Sequence, residues 1–246
     1  TRTQGWYDLI LKVDPNNSQI VYTGGIDIFK STNSGVSWKQ LTHWYAGFNL
    51  QYCHADQHGM EFQPNNSDVL YFTNDGGIAQ TTNATAASPS VKPINTNYNV
   101  TQFYACDYHP DALSNYFLAG AQDNGTQQFT SPAFGETVTA SGGDGNYCNI
   151  DKLDPNNQFS QYVYNNYYRS TDGGASFPGV TVPADISSNG RFVNPSDYDA
   201  NTKSLYAATN YGQFMRGKDA PTTESLELIG VTATSGQVSD EKVSAK

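Results

Sequence analysis

Arginine is scarce in this 246-residue chain: Arg2, Arg169, Arg191 and Arg216 are the whole supply, and lysine brings the basic total only to 13 against 23 acidic residues. A net charge of −10 with so few cations argues against the nucleic-acid backbone and against an anionic membrane as partners, since both select basic patches. A neutral or cationic partner fits better. Charged residues of either sign amount to only 15%, and no stretch has the Leu-Glu-Lys pattern of a long helix, so a helical architecture is not expected. No apolar run approaches the roughly 18 residues that span a bilayer, so no transmembrane segment is expected. Residues 1–4 lack signal-peptide character. Three cysteines, Cys53, Cys106 and Cys148, leave at least one unpaired, and their number neither proves nor excludes an oxidising compartment. Low charge with abundant Asn, Thr and Tyr suits an extracellular or cell-surface location.

What the chain has instead is turn chemistry. Glycine (22) and tyrosine (17) are abundant, and the composition reads as turn-rich, all-β structure. Ser31-Thr32-Asn33-Ser34-Gly35-Val36-Ser37-Trp38 recurs as Ser170-Thr171-Asp172-Gly173-Gly174-Ala175-Ser176-Phe177. Each copy supplies a hydroxyl, an Asn or Asp to accept hydrogen bonds from turn N–H groups, a Gly for positive φ, and an aromatic to open the next strand. A longer repeat surrounds them. A Pro-Asn type turn precedes a strand rich in Tyr and β-branched residues near positions 15, 64, 110, 155 and 200, with Ala200 replacing the proline in the last. The spacings of 49, 46, 45 and 45 residues, with room for four short strands in each unit, are those of β-propeller blades.

The blades are expected at about residues 5–47, 54–97, 101–140, 145–183 and 190–231, within a single domain, with 232–246 opening a further blade. In the first blade the strands fall at 6–13, 20–23, 27–31 and 38–41. Residues 81–85 and 129–131 are fading copies of the Ser-x-Asn/Asp turn, and the fifth blade has none. Because the first blade owns all four strands and residues 241–245 begin another, the chain is expected to be part of a larger ring of roughly six to eight blades; a closed five-bladed ring is the alternative.

The two turns resemble the Asp box, or BNR repeat, of sialidases, xyloglucanase-like glycosidases and sortilin-type receptors. There the box is structural, which gives Ser31, Asn33, Gly35, Trp38, Ser170, Asp172, Gly174 and Phe177 folding roles. Together with Gly5-Trp6-Tyr7-Asp8, residues 54–58, Asn74-Asp75-Gly76-Gly77, residues 120–125 and Gly142-Gly143-Asp144-Gly145, nearly the whole chain is similar to the xyloglucanase-related propeller modules of large secreted bacterial proteins. In the enzymes of that group a catalytic Asp stands before Gly-Gly in a turn between a blade's second and third strands. Asp75 matches that position, but the partner carboxylate belongs to a different propeller.

Catalytic candidates are Asp75, Asp123 and Asp144, each in a Gly-rich turn; such turns also use Asp for purely local hydrogen bonds. His54, Asp56 and His58 alternate, so on an extended strand they would share one face and suit a divalent metal, or else a hydrogen-bonded network that orients the long loop 42–57. Such a cation is the one cofactor the residues suggest. Trp44, Tyr45 and Tyr98 lie in the same class of connection and can stack on sugar rings or cap the core, so the ligand-binding candidates are Trp44, Tyr45, His54, Asp56, His58 and Tyr98. Sialidase chemistry needs three convergent arginines and an activated tyrosine, for which the arginine supply is too thin. Cys106 and Cys148, in the inner strands of consecutive blades, are placed for a disulfide or as two buried thiols. Sequons at Asn16, Asn65, Asn83, Asn99 and Asn124 matter only in a glycosylating host.

With catalytic constellations incomplete, the expected role is a glycan- or protein-binding module, or a spacer for other domains of the same polypeptide. The alternative is a xyloglucanase-like glycoside hydrolase using paired Asp carboxylates. Propeller topology would put Asn33 and Asp172 at one end of the blades and Asp75, Asp123, His54, Asp56, His58 and Asp144 at the other.

Overall fold

The computed structural model describes residues 4–98, 100–131, 137–210, 213–218 and 226–230. The chain forms two compact units, Thr1–Val100 and Thr101–Lys246, divided where the second and third blades were expected to meet. The fold is all-β, built of the antiparallel blades of a β-propeller. Asn99 and the expected further blade at 232–246 lie outside the described residues.

In the first unit, β1 (Ile10–Val13), β2 (Val21–Gly24), β3 (Ile28–Ser31) and β4 (Lys39–Gln40) pair in chain order. A second sheet follows the same order with β7 (Gln57–Phe62), β8 (Leu70–Asn74), β9 (Gly77–Thr81) and β10 (Lys92–Pro93). Between them β5 (Thr42–His43) and β6 (Gln51–Tyr52) make a short parallel pair inside the long connection. The first strand of each blade touches that of the next, β1 against β7. Tyr22, Ile28, Leu41, Met60, Phe62, Leu70, Phe72 and Val91 form the core between the two sheets. Lys30 is buried there, its ammonium donating to the carbonyls of Ala84 (2.7 Å) and Ala86 (2.6 Å) in the turn after β9. The Tyr22 hydroxyl donates to the same Ala84 carbonyl (2.5 Å), and the two carbonyls keep the buried ammonium hydrogen-bonded.

Among the described residues, the second unit holds three sheets. The third blade is β11 (Ala105–Tyr108), β12 (Phe117–Ala121), β13 (Gly125–Phe129) and β14 (Val138–Ser141). The fourth has three strands, β15 (Cys148–Ile150), β16 (Gln158–Gln161) and β17 (Tyr167–Ser170). Its outer strand is reduced to a bridge between Tyr168 and Gly179, because Pro178 and Pro183 cannot donate to a ladder, and the chain then turns through the one-turn helix α1 (Ala184–Ser187). The fifth blade is β18 (Ser196–Asp199), β19 (Ser204–Ala208), β20 (Gln213–Gly217) and β21 (Leu226–Gly230). Phe159, Tyr167, Leu205, Ala207 and Met215 fill one core cluster, and Leu118, Cys148 and Ile150 another.

The two eight-residue repeats close by the same bonds. Ser31 Oγ donates to Asn33 Oδ1 (2.9 Å) and accepts from the Gly35 N–H (2.9 Å), while Asn33 Oδ1 accepts from the Ser37 N–H (2.8 Å). Ser170 Oγ, Asp172 and the N–H groups of Gly174 and Ser176 repeat this at 2.7, 2.8 and 3.0 Å. Gly35 and Gly174 sit at φ of +87° and +92°, where a side chain is strained. The fading copy at Thr81 keeps the bond to Asn83 (3.0 Å).

Antiparallel order fixes which turns share an end, and in each unit the contacts agree. The Asn33 turn meets the β1–β2 turn through Ser34 N–H to Gln19 O (2.9 Å), and the Asp172 turn meets the β15–β16 turn through Gly173 N–H to Asn156 O (3.1 Å). The β2–β3 and β12–β13 turns lie at the other end, meeting the connections that enter the next blade: Gln57 N–H donates to Gly25 O (2.9 Å) and Gly125 N–H to Gly143 O (2.7 Å).

Candidate functional site

The first unit gathers its polar groups at the β8–β9 end. Residues 6–8, expected in the first strand, form a turn instead: the N–H groups of Tyr7 and Asp8 both bond to Gln4 O, at 2.8 and 3.1 Å. This turn leaves Trp6 85% exposed, buries Asp8 and aims Tyr7 at the β8–β9 turn. There the Tyr7 hydroxyl donates to Asp75 Oδ2 (2.8 Å), and His58 Nε2 lies 2.6 Å from Asp75 Oδ1. The rings of Tyr7 and His58 meet edge to face, 4.9 Å between centroids. Asp75 is held in place by its turn, in which Asn74 Oδ1 accepts the Gly76 N–H (3.1 Å) and a Cβ on Gly76 would strike the His54 ring.

Asp56 stands beside this group in the left-handed region, at φ of +63°, and is 7% exposed. Gln4 Nε2 donates to its Oδ1 (3.0 Å). Burial pushes its carboxyl up to about 6, and the neighbouring carboxyls of Asp8, within hydrogen-bonding reach, and Asp75 push the same way, opposed by His58. Oxygens of Asp56 and Asp75 approach within 4.8 Å. Asp8 is 2% exposed, and its Oδ2 has no hydrogen-bond donor.

The expected His54, Asp56, His58 metal face does not form. It required an extended strand from residue 54, but β7 begins at Gln57, Asp56 is left-handed, and a register shift between Gln57 and Gly59 breaks the alternation. His54 covers Gly76 with its Nδ1 3.3 Å from Ala55 O, His58 goes to Asp75, and Asp56 faces Gln4 and Asp8. Tyr7 and Asp8 were missed as site residues because residues 6–13 read as one strand; the available signal was Gly5, which together with the following polar Asp8 suits a turn.

A second feature at the same end of the first blade is aromatic. His43, buried beside Asp27 of the β2–β3 turn, is ringed by Trp44, Tyr45 and Phe48, with centroids at 6.2, 3.9 and 5.2 Å. All three surrounding rings are exposed, and the loop holds Ala46, Phe48 and Asn49 at positive φ to present them. Phe48 had not been singled out. Tyr98 is exposed in the segment after β10, its N–H donating to Asn95 O (2.8 Å).

In the second unit Asp123 and Asp144 come together, but as turn chemistry. Asp144 Oδ1 accepts the Asp123 N–H (3.1 Å), and Asp123 itself is left-handed at φ of +59°. The Cys106–Cys148 disulfide is absent, and all three cysteines are free thiols. The strands are adjacent as expected, but Cys106 points outward from β11 and is exposed, whereas Cys148 is buried and donates to Leu118 O (3.3 Å). Burial raises the Cys148 thiol far above its usual range and that of Cys53 to about 12, so neither is reactive.

No protein-family model matches the sequence, and no curated protein matches it. Among solved structures, the chain is similar to the GH74 xyloglucanase from Xanthomonas campestris, with a TM-score of 0.51 at 16% identity over 92% of this chain and 34% of that one. The GH74 enzyme of Niastella koreensis gives a TM-score of 0.50 at 18% identity over 90% and 34%. The chain shares their fold. It spans about a third of their length, and at this identity the likeness speaks for the architecture alone. Among the described residues no helix is long and apolar enough to cross a membrane.

Proposed function

We propose that the chain is a glycan-binding β-propeller module of an extracellular or cell-surface protein, with the repeated turns serving as structural Asp boxes. The observation that carries this is the exposed Trp6 next to the Tyr7–Asp75–His58 hydrogen-bonded group. An indole open to solvent stacks on the apolar face of a sugar ring, and the fixed carboxylate and imidazole accept and donate to its hydroxyls. The aromatic cluster at Trp44, Tyr45 and Phe48 offers a further stacking surface at the same end of the first unit's blades.

One observation favours the second reading, a glycoside hydrolase: Asp56, with its raised carboxyl, and Asp75 form a close pair in unlike environments. A retaining enzyme, however, needs carboxyls about 5–5.5 Å apart flanking an open bond, and Asp56 is buried. The deciding experiment is a panel of insoluble and soluble polysaccharides assayed for retention and for release of reducing ends. Binding without turnover, weakened about tenfold or more in Trp6→Ala, is the expected result. Turnover that Asp75→Asn abolishes would establish the hydrolase reading, and failure to retain any glycan would leave a protein partner as the occupant of this surface.

A further inference from the structure

We propose that the loop from Trp44 to Asn49 in the first unit binds a single, uncharged polysaccharide chain and rejects the flat face of a crystalline glycan. The inference rests on the glycan-binding reading and deepens it by naming the form of the ligand. Residues 42–55 contain no Asp, Glu, Lys or Arg. An acidic or cationic sugar finds no counter-charge on that segment, whereas the Trp44 indole N–H, the Tyr45 hydroxyl and the Asn49 amide are chemistry for neutral hydroxyl groups. Asp27, beneath the loop, faces His43 and is bonded by Gln40 Nε2 (3.1 Å) and the Trp44 N–H.

The angles between the exposed rings decide the physical form. Trp44 and Tyr45 meet at 83° with centroids 4.7 Å apart, and Tyr45 and Phe48 at 50° and 6.4 Å, with Phe48 itself 78% exposed. Rings canted this far do not share a plane. A crystalline polysaccharide presents its sugar faces in one plane, so it meets these rings one at a time, where a row of coplanar aromatics would be needed to hold it. A separate chain is free to turn successive sugars, offering each ring a face in a different direction.

The canting is built into the loop. β5 and β6 pair across its base, Thr42 opposite Gln51 and His43 opposite Tyr52. Gln51 ties that base to the second blade, its amide donating to Pro89 O (2.8 Å) and its Oε1 accepting the Val91 N–H (2.9 Å). Inside the loop the Ala46 N–H donates to His43 O (2.9 Å) and the Leu50 N–H to Gly47 O (3.1 Å). The Tyr45 ring covers Gly47, where a Cβ would strike it, and Ala46, Phe48 and Asn49 hold a left-handed backbone that residues with a side chain seldom adopt. Flattening the three rings would unpack them from buried His43 at their hub. Rings already fixed in place lose little freedom when a sugar stacks on them.

The test compares forms of polysaccharide on the full chain: affinity electrophoresis through hydroxyethylcellulose, galactomannan and arabinoxylan, which are neutral, and through polygalacturonate and glycol chitosan, which are charged, with pull-down on crystalline cellulose and crystalline chitin. The expected result is retention by at least one neutral soluble polymer and none by the crystalline or charged ones at physiological salt. Phe48→Asn removes the ring while keeping a residue that tolerates left-handed backbone, and should weaken that retention about tenfold or more, with Phe192→Ala in the second unit unchanged. Should Phe48→Asn fail to fold by circular dichroism, Trp44→Ala takes its place. Comparable retention on a crystalline or charged polymer, or retention that survives in the folded loop variant and is lost in Trp6→Ala, overturns this inference while the glycan-binding reading stands. Retention by no polysaccharide defeats both.

Discussion

Asn33 and Asp172 occupy the same position in the same turn and differ by one charge. Asp172 accepts from the Ser176 side chain, the Ser170 side chain and the Ser176 N–H, and these bonds hold its carboxyl down to about 2. A carboxylate whose folded value lies below its unfolded one contributes stability above the unfolded value and loses it as pH falls through the folded one. The second turn should therefore weaken between about pH 4 and pH 2. Asn33 makes the equivalent bonds without titrating, its amide donating to Ser37 Oγ (2.9 Å). In Asp172→Asn the Tm gap from the native chain should close over that window. A gap independent of pH would mean that the charge contributes nothing. Residue chemistry of this kind is legible in sequence, because the partners lie within four positions of one another.

At the scale of the element, the two turns differ in what surrounds them. A Cβ on Gly35 would meet the Trp38 ring at 3.5 Å, an ordinary contact, so Gly35→Ala should cost only the left-handed backbone, about 1–2 kcal/mol. On Gly174 it would collide with the Tyr116 hydroxyl, which itself bonds Gln158 at 2.6 Å. Gly174→Ala should then cost clearly more, on the order of 3 kcal/mol, since neither polar partner can retreat without losing the bond. Equal denaturant midpoints for the two variants would contradict this. The strands were legible to within a few residues wherever β-branched and aromatic residues lay between turn signals. They were not at residues 6–8, where an aromatic pair that reads as strand is in a turn whose bonds run back to Gln4. Nor was the outer strand of the fourth blade legible: its prolines are visible in sequence, yet the replacement of a ladder by one bridge and α1 depends on what the segment packs against.

For the whole molecule, three free cysteines mean that no disulfide cross-links blade to blade. Thiol titration of the unfolded, unreduced chain should find three reactive groups, and Tm should not change with reductant; two missing thiols would restore the bridge between Cys106 and Cys148. Packing alone then holds each unit, through cores such as that around Tyr22 and Phe72, and that around Leu205 and Met215. The repeat by itself determined the blades, their order and the ends to which their turns belong, because a period near 45 residues and antiparallel pairing leave little topological choice. Only the tertiary structure decided which side chains meet. Tyr7 and Asp75 are 68 positions apart, and Gln4 and Asp56 are 52 apart. Local preference fixes a strand's pairing but not the direction of a left-handed residue or a bulge, and it was these at Asp56 and Gln57 that dispersed the expected histidine face and put Asp56 beside Asp8 and Asp75.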